Sequence, residues 1–274
     1  MSQVWFITGT SRGLGLCIAE AALNSGASVI ATARNPSQLS TLVSKHGADK
    51  VLPLALDVSD NNAVLAAVKA GHEKFGRIDI VVNNAGYAET AAVEDVTIDS
   101  FRAQINTNFL GVVYVTKAVL PIMREQGSGH IFQVSSLGGR VGTPGFSAYQ
   151  SARWAIGGFS TVLAKEVAPL GIKVTVLEPG GIRTDWAGSS MKTPPISEPY
   201  QQTVGATADM LRKHASGFPS LPEKIADIVL RLTGEEEPPL RLLIGPEAPG
   251  YAAEAAKTIA ESDEKWRHLT LASA

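Results

Sequence analysis

The sequence predicts an α/β fold in which helices cover both faces of a parallel sheet. Three observations predict it. Short, β-rich apolar runs alternate with longer amphipathic segments. The runs are apolar, as expected of strands that are buried on both faces of a sheet. A glycine-rich turn, TGTSRGLG at 8–15, joins the first run to the segment that follows it, as at a phosphate-binding junction between a strand and a helix.

The elements follow from run length and periodicity, since short runs favour strands and longer periodic segments favour helices. The predicted strands are 3–8, 27–32, 50–56, 78–84, 130–136, 173–179 and 240–245. The predicted helices are 13–25, 36–45, 60–75, 98–125, 149–168 and 223–233. Because no repeat, low-complexity tract or Ser/Gly linker interrupts this order, we expect residues 1–274 to form a single domain.

Two regions break the alternation of strands and helices. Residues 185–222 follow a strand end and are rich in Pro, Ser, Gly and Met, so we expect a lid over a ligand. Residues 245–274 open with GPEAPG and continue as a helical tail, which we expect to serve packing or an oligomer surface.

Composition excludes several classes of function. The net charge of −2 gives no reason to expect binding to nucleic acid or to an anionic membrane. No run reaches the roughly 18 apolar residues expected of a membrane span. The five histidines show no metal-ligand spacing, so no metal site is expected. The single cysteine, Cys17, excludes an internal disulfide and fits a reducing, cytoplasmic location.

The glycine turn is the first candidate binding site. Gly9, Gly13 and Gly15 allow a tight turn and bring backbone N–H groups close to a ligand. The start of the following helix adds a partial positive charge that favours a phosphate group. A plain turn is the alternative, but the position directly after the first strand favours binding.

Several motifs together resemble the short-chain dehydrogenase/reductase family, from about residue 3 to residue 185. They are T-G-x-x-x-G-x-G at 8–15, NNAG at 83–86, NTNFLG at 106–111, Ser136 thirteen residues before Tyr149, and PGGIRT at 179–184. The resemblance implies a doubly wound Rossmann-type fold with a parallel seven-stranded sheet. It also implies hydride transfer between a nicotinamide cofactor and a carbonyl or alcohol carbon, in a homotetramer or homodimer.

The resemblance assigns roles to individual residues. The catalytic candidates are Tyr149, Ser136, Arg153 and Asn108. The cofactor-binding candidates are Gly9, Ser11, Arg12, Gly13, Leu14, Gly15, Arg34, Asp57, Val58, Asn84, Ala85, Gly86, Tyr149, Arg153, Pro179, Gly180, Ile182 and Thr184.

Some of these residues have a structural alternative. Asp57, placed against the adenine amine, could instead serve the start of a helix. Asn84 could serve only the turn. Asn108 is a poor helix former, which favours a site role such as holding water over an ordinary helix position. Ser135 should point to the opposite side of its strand from Ser136 and be structural.

The end of the second strand indicates the cofactor. Ala33 stands where relatives that prefer NAD carry an acid, which would repel a 2′-phosphate. Arg34 follows it and Arg12 lies in the glycine turn. Two guanidinium groups near the adenosine ribose favour NADP(H), unless Arg34 is only a surface charge.

One residue departs from the family pattern. Arg153 stands four residues after Tyr149, where the family has a lysine that binds the ribose and feeds a proton relay. A guanidinium one helical turn away still favours the phenolate form of the tyrosine. It does not share its proton, however, which puts the relay in doubt.

Three functions follow from these observations. The first is an NADPH-dependent oxidoreductase that acts on a fairly apolar carbonyl compound or secondary alcohol. The others are a redox-neutral cyclase or isomerase and a non-catalytic NADP(H)-binding regulator. Arg153 favours the last two, whereas intact Ser136 and Tyr149 oppose the regulator. An apolar pocket is expected from the lid residues Trp186, Met191, Pro194, Pro195, Tyr200, Met210 and Leu211.

Self-association is expected through the helix predicted at 149–168 and the long helix before it. The resemblance places a dimer face on these two helices. Small side chains permit close helix approach, and Phe159 lies nearby. The small residues are Ala152, Ala155, Gly157 and Gly158.

Overall fold

A computed structural model describes residues 2–184, 191–214 and 217–272. Its centre is one sheet of seven strands in the order β3-β2-β1-β4-β5-β6-β7, with every pair parallel. The strands are β1 (Val4–Thr8), β2 (Ser28–Ala33), β3 (Val51–Ala55), β4 (Ile80–Asn83), β5 (Gly129–Val134), β6 (Ile172–Pro179) and β7 (Arg241–Ile244). The predicted doubly wound fold is confirmed.

Helices cover both faces of the sheet. They are α1 (Gly13–Asn24), α2 (Ser40–His46), α3 (Asn61–Phe75), α4 (Ile98–Ile105), α5 (Gly111–Gln126), α6 (Ser147–Val167), α7 (Ala206–His214), α8 (Pro222–Leu232) and α9 (Ala248–Leu271). One apolar core joins the sheet to α1, α2 and α8, and a second joins it to α3, α5 and α6. Chain order reverses between β1 and β4, so a crevice opens at their carboxyl ends, where α/β folds bind ligands.

Two helices differ from their predicted form. The predicted helix at 36–45 begins with a 3₁₀ turn, Pro36–Leu39, where the Asn35 side chain accepts from the Ser37 N–H. The predicted helix at 98–125 is α4 and α5 joined by a π-helical turn, Asn106–Leu110. Such turns shift the helix register by one residue and are frequent at functional sites.

The run Ile98–Gln126 is also long and apolar enough to cross a membrane by length and composition, since it contains an 18-residue window with a mean hydropathy of 1.2. Its inner face includes Val115 and Val119, which are fully buried in the second core. Length and hydropathy alone do not show a membrane span, because the core helix of a soluble protein passes the same test.

Asp57 lies two residues beyond the end of β3. Its Oδ1 accepts from the backbone N–H and the hydroxyl of Ser59, at 2.9 and 2.7 Å. The residue that caps α3 is Asp60, whose side chain accepts from Asn62 N and Ala63 N. The cap of this helix is therefore Asp60, and Asp57 is exposed at the carboxyl-terminal edge of the sheet.

Candidate active site

The glycine turn lies where β1 ends and α1 begins. Gly9 and Gly13 adopt positive φ angles of 71° and 59°, which other residues rarely adopt. Gly15 has a different reason to be glycine. A Cβ at this position would collide with the Gly9 carbonyl oxygen and lie 2.5 Å from Asn84 Nδ2. The three glycines thus produce a turn with no side chains over its inner surface.

Asn84 braces that turn from the neighbouring strand. Its Nδ2 donates to the backbone oxygens of Thr8 and Gly9, at 2.9 and 3.2 Å. In return, the Thr8 hydroxyl accepts from Asn84 N and Ala85 N, at 2.9 and 3.0 Å. The structural role that the sequence left open for Asn84 is therefore present in the structure.

Arg12 and Arg34 are exposed at the same edge of the sheet. Within the turn, Ser11 is half-buried. Leu14, near the start of α1, is buried in the first core. Burial raises the pKa of Tyr87, and Glu89 adds to the rise while Arg34 opposes it. Arg34 is therefore within electrostatic range of the loop that follows β4.

Tyr149 and Arg153 lie one turn apart on α6, as the spacing predicted. Both are buried, with 7% and 4% of their surface exposed. The Arg153 guanidinium carbon lies 4.9 Å from the centroid of the Tyr149 ring, a cation–π distance. Arg153 Nη1 also donates to Val134 O at 2.8 Å. The arginine is thus held between the catalytic tyrosine candidate and the end of β5.

Asn108 and Gly86 complete this wall of the crevice. The fully buried Asn108 accepts from Tyr87 N at 2.9 Å and donates to Tyr87 O at 2.8 Å. A Cβ at Gly86 would lie 2.6 Å from both Arg153 Nη2 and Asn108 Oδ1. Gly86 therefore lets the two polar side chains meet, and Asn108 fixes the loop after β4 from the π-helical turn.

The two serines after β5 point in different directions. Ser135 is buried and donates to Arg153 O at 3.3 Å, which ties β5 to α6. Ser136 is half-buried, accepts from Gly138 N at 3.0 Å and lies 3.5 Å from Pro179 O. The expected division between a structural Ser135 and a more accessible Ser136 agrees with this geometry.

The loop 179–184 after β6 forms the opposite side of the crevice. Thr184 lies beside the glycine turn, since a Cβ at Gly13 would lie 3.7 Å from Thr184 Cγ2. Ile182 forms an isolated bridge with Ser220. Residues 179–184 and the glycine turn therefore face each other.

Val58, another cofactor-binding candidate, is buried against Gly111 at the start of α5, so only its backbone remains for a ligand.

A buried ion cluster near the site was missed by the sequence reasoning. Glu178 of β6 is fully buried. Its two oxygens accept from Arg140 Nε at 2.7 Å and Arg241 Nε at 2.8 Å. Arg140 follows the Ser136 loop and Arg241 opens β7, so the cluster joins three segments that are distant in sequence. No local pattern signals such a contact.

Two of the predicted lid residues that the structure describes pack near the tyrosine. Met191 and Leu211 pack against a cluster of Ala88, Phe146 and Tyr149. Trp186 lies outside the described residues.

The other predicted lid residues lie elsewhere. Pro194 and Pro195 line a separate groove of about 390 Å³, which none of the catalytic candidates lines. Tyr200 donates to Glu94 at 2.7 Å, which raises its pKa. Met210 is 46% exposed.

Two observations indicate that the glycine turn and Arg153 fit a dinucleotide cofactor. The glycine turn offers a backbone surface that a Cβ at Gly15 would fill. In addition, Arg153 Nε is buried and has no hydrogen-bond partner among the described residues. A buried donor of this kind needs an acceptor, and a ribose hydroxyl is one that a cofactor brings.

Comparisons with known proteins agree with the geometry. A family model described as short chain dehydrogenase matches residues 3–195. Oxidoreductase BOA17 of Botryotinia fuckeliana is 70% identical over 274 residues, which cover 100% of both chains. A short-chain dehydrogenase from Streptomyces avermitilis, known by crystal structure, is 33% identical with a TM-score of 0.93 and 100% of both chains covered.

A third match includes a bound nicotinamide dinucleotide. The alcohol dehydrogenase of Thermococcus sibiricus, complexed with 5-hydroxy-NADP, is 26% identical with a TM-score of 0.74. The match covers 89% of this chain and 97% of that one. The chain therefore belongs to the short-chain dehydrogenase/reductase family of oxidoreductases, which use a nicotinamide cofactor.

Proposed function

We propose that this protein is an NADPH-dependent oxidoreductase that interconverts a fairly apolar carbonyl compound and its secondary alcohol. The observation that carries the proposal is the position of Tyr149, a buried phenol between the Arg153 guanidinium and an apolar cluster. A phenol in this position has a fixed cation and apolar side chains as neighbours. Apolar surroundings with few polar groups favour an uncharged substrate that one polar group orients.

In this proposal each residue of the site has its own role. The cofactor, when bound, supplies or accepts a hydride. Tyr149 transfers a proton to or from the substrate oxygen, as a positioned general acid or base. Ser136 donates a hydrogen bond to the same oxygen. Arg153 holds Tyr149 through its ring contact and offers its unpartnered Nε to the ribose.

The preference for NADP(H) rests on charge at the adenosine end. Arg34 and Arg12 are exposed at the edge where the ribose is expected, and Ala33 offers no carboxylate to repel a phosphate. The relative from Thermococcus sibiricus, whose structure includes 5-hydroxy-NADP, supports the same choice. We take Asp57, exposed beyond β3, as the group that faces the adenine amine.

A redox-neutral cyclase or isomerase is the second candidate, and Arg153 favours it. Arg153 is 4% exposed and its guanidinium donates to Val134 O, and arginine keeps its proton in proteins. It therefore supplies charge without relaying protons. A redox-neutral reaction needs the oriented tyrosine but no proton supply from bulk water.

We further propose that the protein self-associates through α5 and α6, as a dimer or tetramer, and works in the cytoplasm. Trp154 and Val162 leave 48% and 57% of their surface exposed on α6. Gly158, with nothing near it, lies between them in sequence, whereas Ala152 and Gly157 face inward and cannot contact a second copy. Light scattering at micromolar concentration should give a dimer or larger, and a monomer would refute this proposal.

The direct test is an assay of NADPH oxidation with a panel of ketones and aldehydes of graded polarity. We expect turnover with apolar ketones and little with charged ones. If NADPH binds but no carbonyl compound is reduced, and no alcohol is oxidised with NADP⁺, the redox-neutral candidate becomes the better account.

A further inference from the structure

Glu247 lies at the start of the tail, outside every motif that predicted the site. Its carboxyl group reaches the loop 179–184, because Glu247 Oε1 accepts from the Gly181 N–H at 2.8 Å. The tail therefore contacts the nicotinamide side of the candidate site through a side chain as well as through packing.

Two side chains lie so close to this loop that both glycines of the PGGIRT motif are required. A Cβ at Gly180 would collide with Glu247 Oε1 and lie 2.8 Å from its Cδ. A Cβ at Gly181 would lie 2.5 Å from Phe218 Cδ1. Glu247 and Phe218 thus pack directly on the loop backbone, so a change in either side chain acts on the loop.

The other backbone bonds of the loop come from backbone groups. Gly180 N donates to Ile244 O at 2.9 Å, and Arg183 N donates to Ser220 O at 2.8 Å. The Gly181 N–H is held by a side chain instead. A substitution at Glu247 consequently removes one defined restraint while the backbone bonds on either side remain.

The rest of the carboxyl group is enclosed by protein. Glu247 Oε2 and Ser220 Oγ are both buried without a hydrogen-bond partner among the described residues. A Cβ at Gly245 would lie 2.9 Å from Ser220 Oγ and 3.1 Å from Glu247 Oε2, so the two oxygens flank the same point. Gly245 has a φ of 108°, which keeps that point free of a side chain.

We propose that Glu247 is a positioning residue for the cofactor. It acts through Gly181 on the loop that contains Ile182 and Thr184, and it does not itself touch the substrate. The proposal rests on the proposed function, since the loop is expected to contact the nicotinamide. Thr184 packs beside Gly13 of the glycine turn, so a looser loop changes the position of Thr184 relative to the turn that is expected to hold the cofactor.

The test measures NADPH affinity by fluorescence titration of the full chain. Glu247→Ala leaves the Gly181 N–H without its acceptor, and we expect NADPH binding to weaken roughly tenfold. Glu247→Gln keeps an oxygen acceptor and should restore most of the affinity. Glu254→Ala, an exposed glutamate on α9, is the matched control and should bind as wild type does.

A double variant distinguishes this role from a general loss of stability. Gly180→Ala should weaken NADPH binding in the wild-type background because its Cβ displaces Glu247. In the Glu247→Ala background the carboxyl group that the Gly180→Ala side chain would displace is absent. Gly180→Ala should therefore weaken NADPH binding less in that background. Fully additive losses would overturn the proposal.

The remaining outcomes are also decisive. If wild type binds NADPH and Glu247→Ala binds it equally well, the inference is wrong while the proposed function stands. If wild type binds no nicotinamide dinucleotide, both are wrong. Should Glu247→Ala fail to fold, Glu247→Asp replaces it; its carboxyl group is one methylene too short to reach Gly181, so wild-type affinity in that variant would contradict the proposal.

Discussion

The two ends of the candidate cofactor crevice are built differently. At the catalytic end, Tyr149, Arg153 and Asn108 are 7%, 4% and 0% exposed, and their polar groups contact backbone or one another. At the end where the adenosine is expected, Arg12 and Arg34 are exposed. Both ends contain arginine, but Arg153 is packed inside the protein, whereas Arg12 and Arg34 lie at the surface.

This contrast teaches that the same residue type serves two purposes here. A buried guanidinium fixes geometry, since removing it leaves a cavity and unpaired backbone groups. An exposed guanidinium adds charge that salt screens over a Debye length of about 8 Å at physiological ionic strength. Substitutions at the catalytic end should therefore change turnover, whereas those at the adenosine end should change cofactor choice and do so in a salt-dependent way.

The largest effect is expected at Tyr149. Tyr149→Phe removes the phenolic proton donor and keeps the ring that packs against Phe146 and Arg153. Turnover should fall by about 10²–10⁴-fold, the usual contribution of general acid catalysis. NADPH affinity should change little, as measured by fluorescence titration alongside steady-state kinetics. Wild-type turnover in this variant would show that another group moves the proton.

A smaller effect is expected at the adenosine end. Each charge-assisted hydrogen bond to a 2′-phosphate contributes about 1.5–3 kcal/mol, so NADPH should bind roughly tenfold or more tightly than NADH. The double variant Ala33→Asp with Arg34→Ala should reverse this preference without changing the turnover number at saturating cofactor. Equal affinities of wild type for both cofactors, measured at low and at physiological salt, would contradict the role of Arg34.

His130 offers a third test, because it is buried but lies away from the site. Its Nε2 meets the Thr175 hydroxyl at 2.9 Å. That hydroxyl donates to Pro239 O, so it accepts from the ring, and the proton lies on Nε2. Burial lowers the pKa of His130 to about 3, with Lys173 adding to the shift.

We expect His130 to affect the pH dependence of the unfolding free energy and to have no effect on the turnover number. The unfolded chain, with an ordinary histidine pKa of about 6.5, takes up the proton first as pH falls. The stability due to neutral His130 is therefore complete above that pH and is lost between about 6.5 and 3.

The test is urea unfolding at pH 7 and pH 5. Relative to His130→Gln, wild type should lose about 2 kcal/mol more of its unfolding free energy between these pH values. The exposed His268→Gln serves as the control. Equal losses in wild type and His130→Gln, or a changed turnover number in His130→Gln at pH 7, would contradict the separation of burial from function.

The sequence predicted the parts of the fold that depend on local pattern. Apolar runs and glycines at fixed spacing led to the strands, the turn at Gly9–Gly15 and the shared helix face of Tyr149 and Arg153. It could not predict contacts between distant segments, such as Glu247 with Gly181 or Glu178 with its two arginines. It also missed the π-helical turn at Asn106–Leu110, because a single inserted residue does not disturb the apolar periodicity visibly.

The predicted lid also shows that sequence does not predict contacts between distant segments. Its composition predicted a lid of apolar residues over a ligand, yet packing decides which of them reach the tyrosine. Met191 and Leu211 do so, whereas Tyr200 turns to Glu94 and Met210 faces solvent. Residue type alone does not distinguish these cases.

The most direct measurement of the central claim compares wild type, Arg153→Lys and Arg153→Ala in steady-state NADPH-dependent reduction of one apolar ketone. If Arg153 supplies a fixed cation beneath Tyr149, Arg153→Lys should fold, bind NADPH about as well and turn over as fast or faster. Arg153→Ala should lose more than tenfold in turnover, since about 1.4 kcal/mol of lost support gives that factor. A strong loss in Arg153→Lys, or wild-type turnover in Arg153→Ala, would contradict this account.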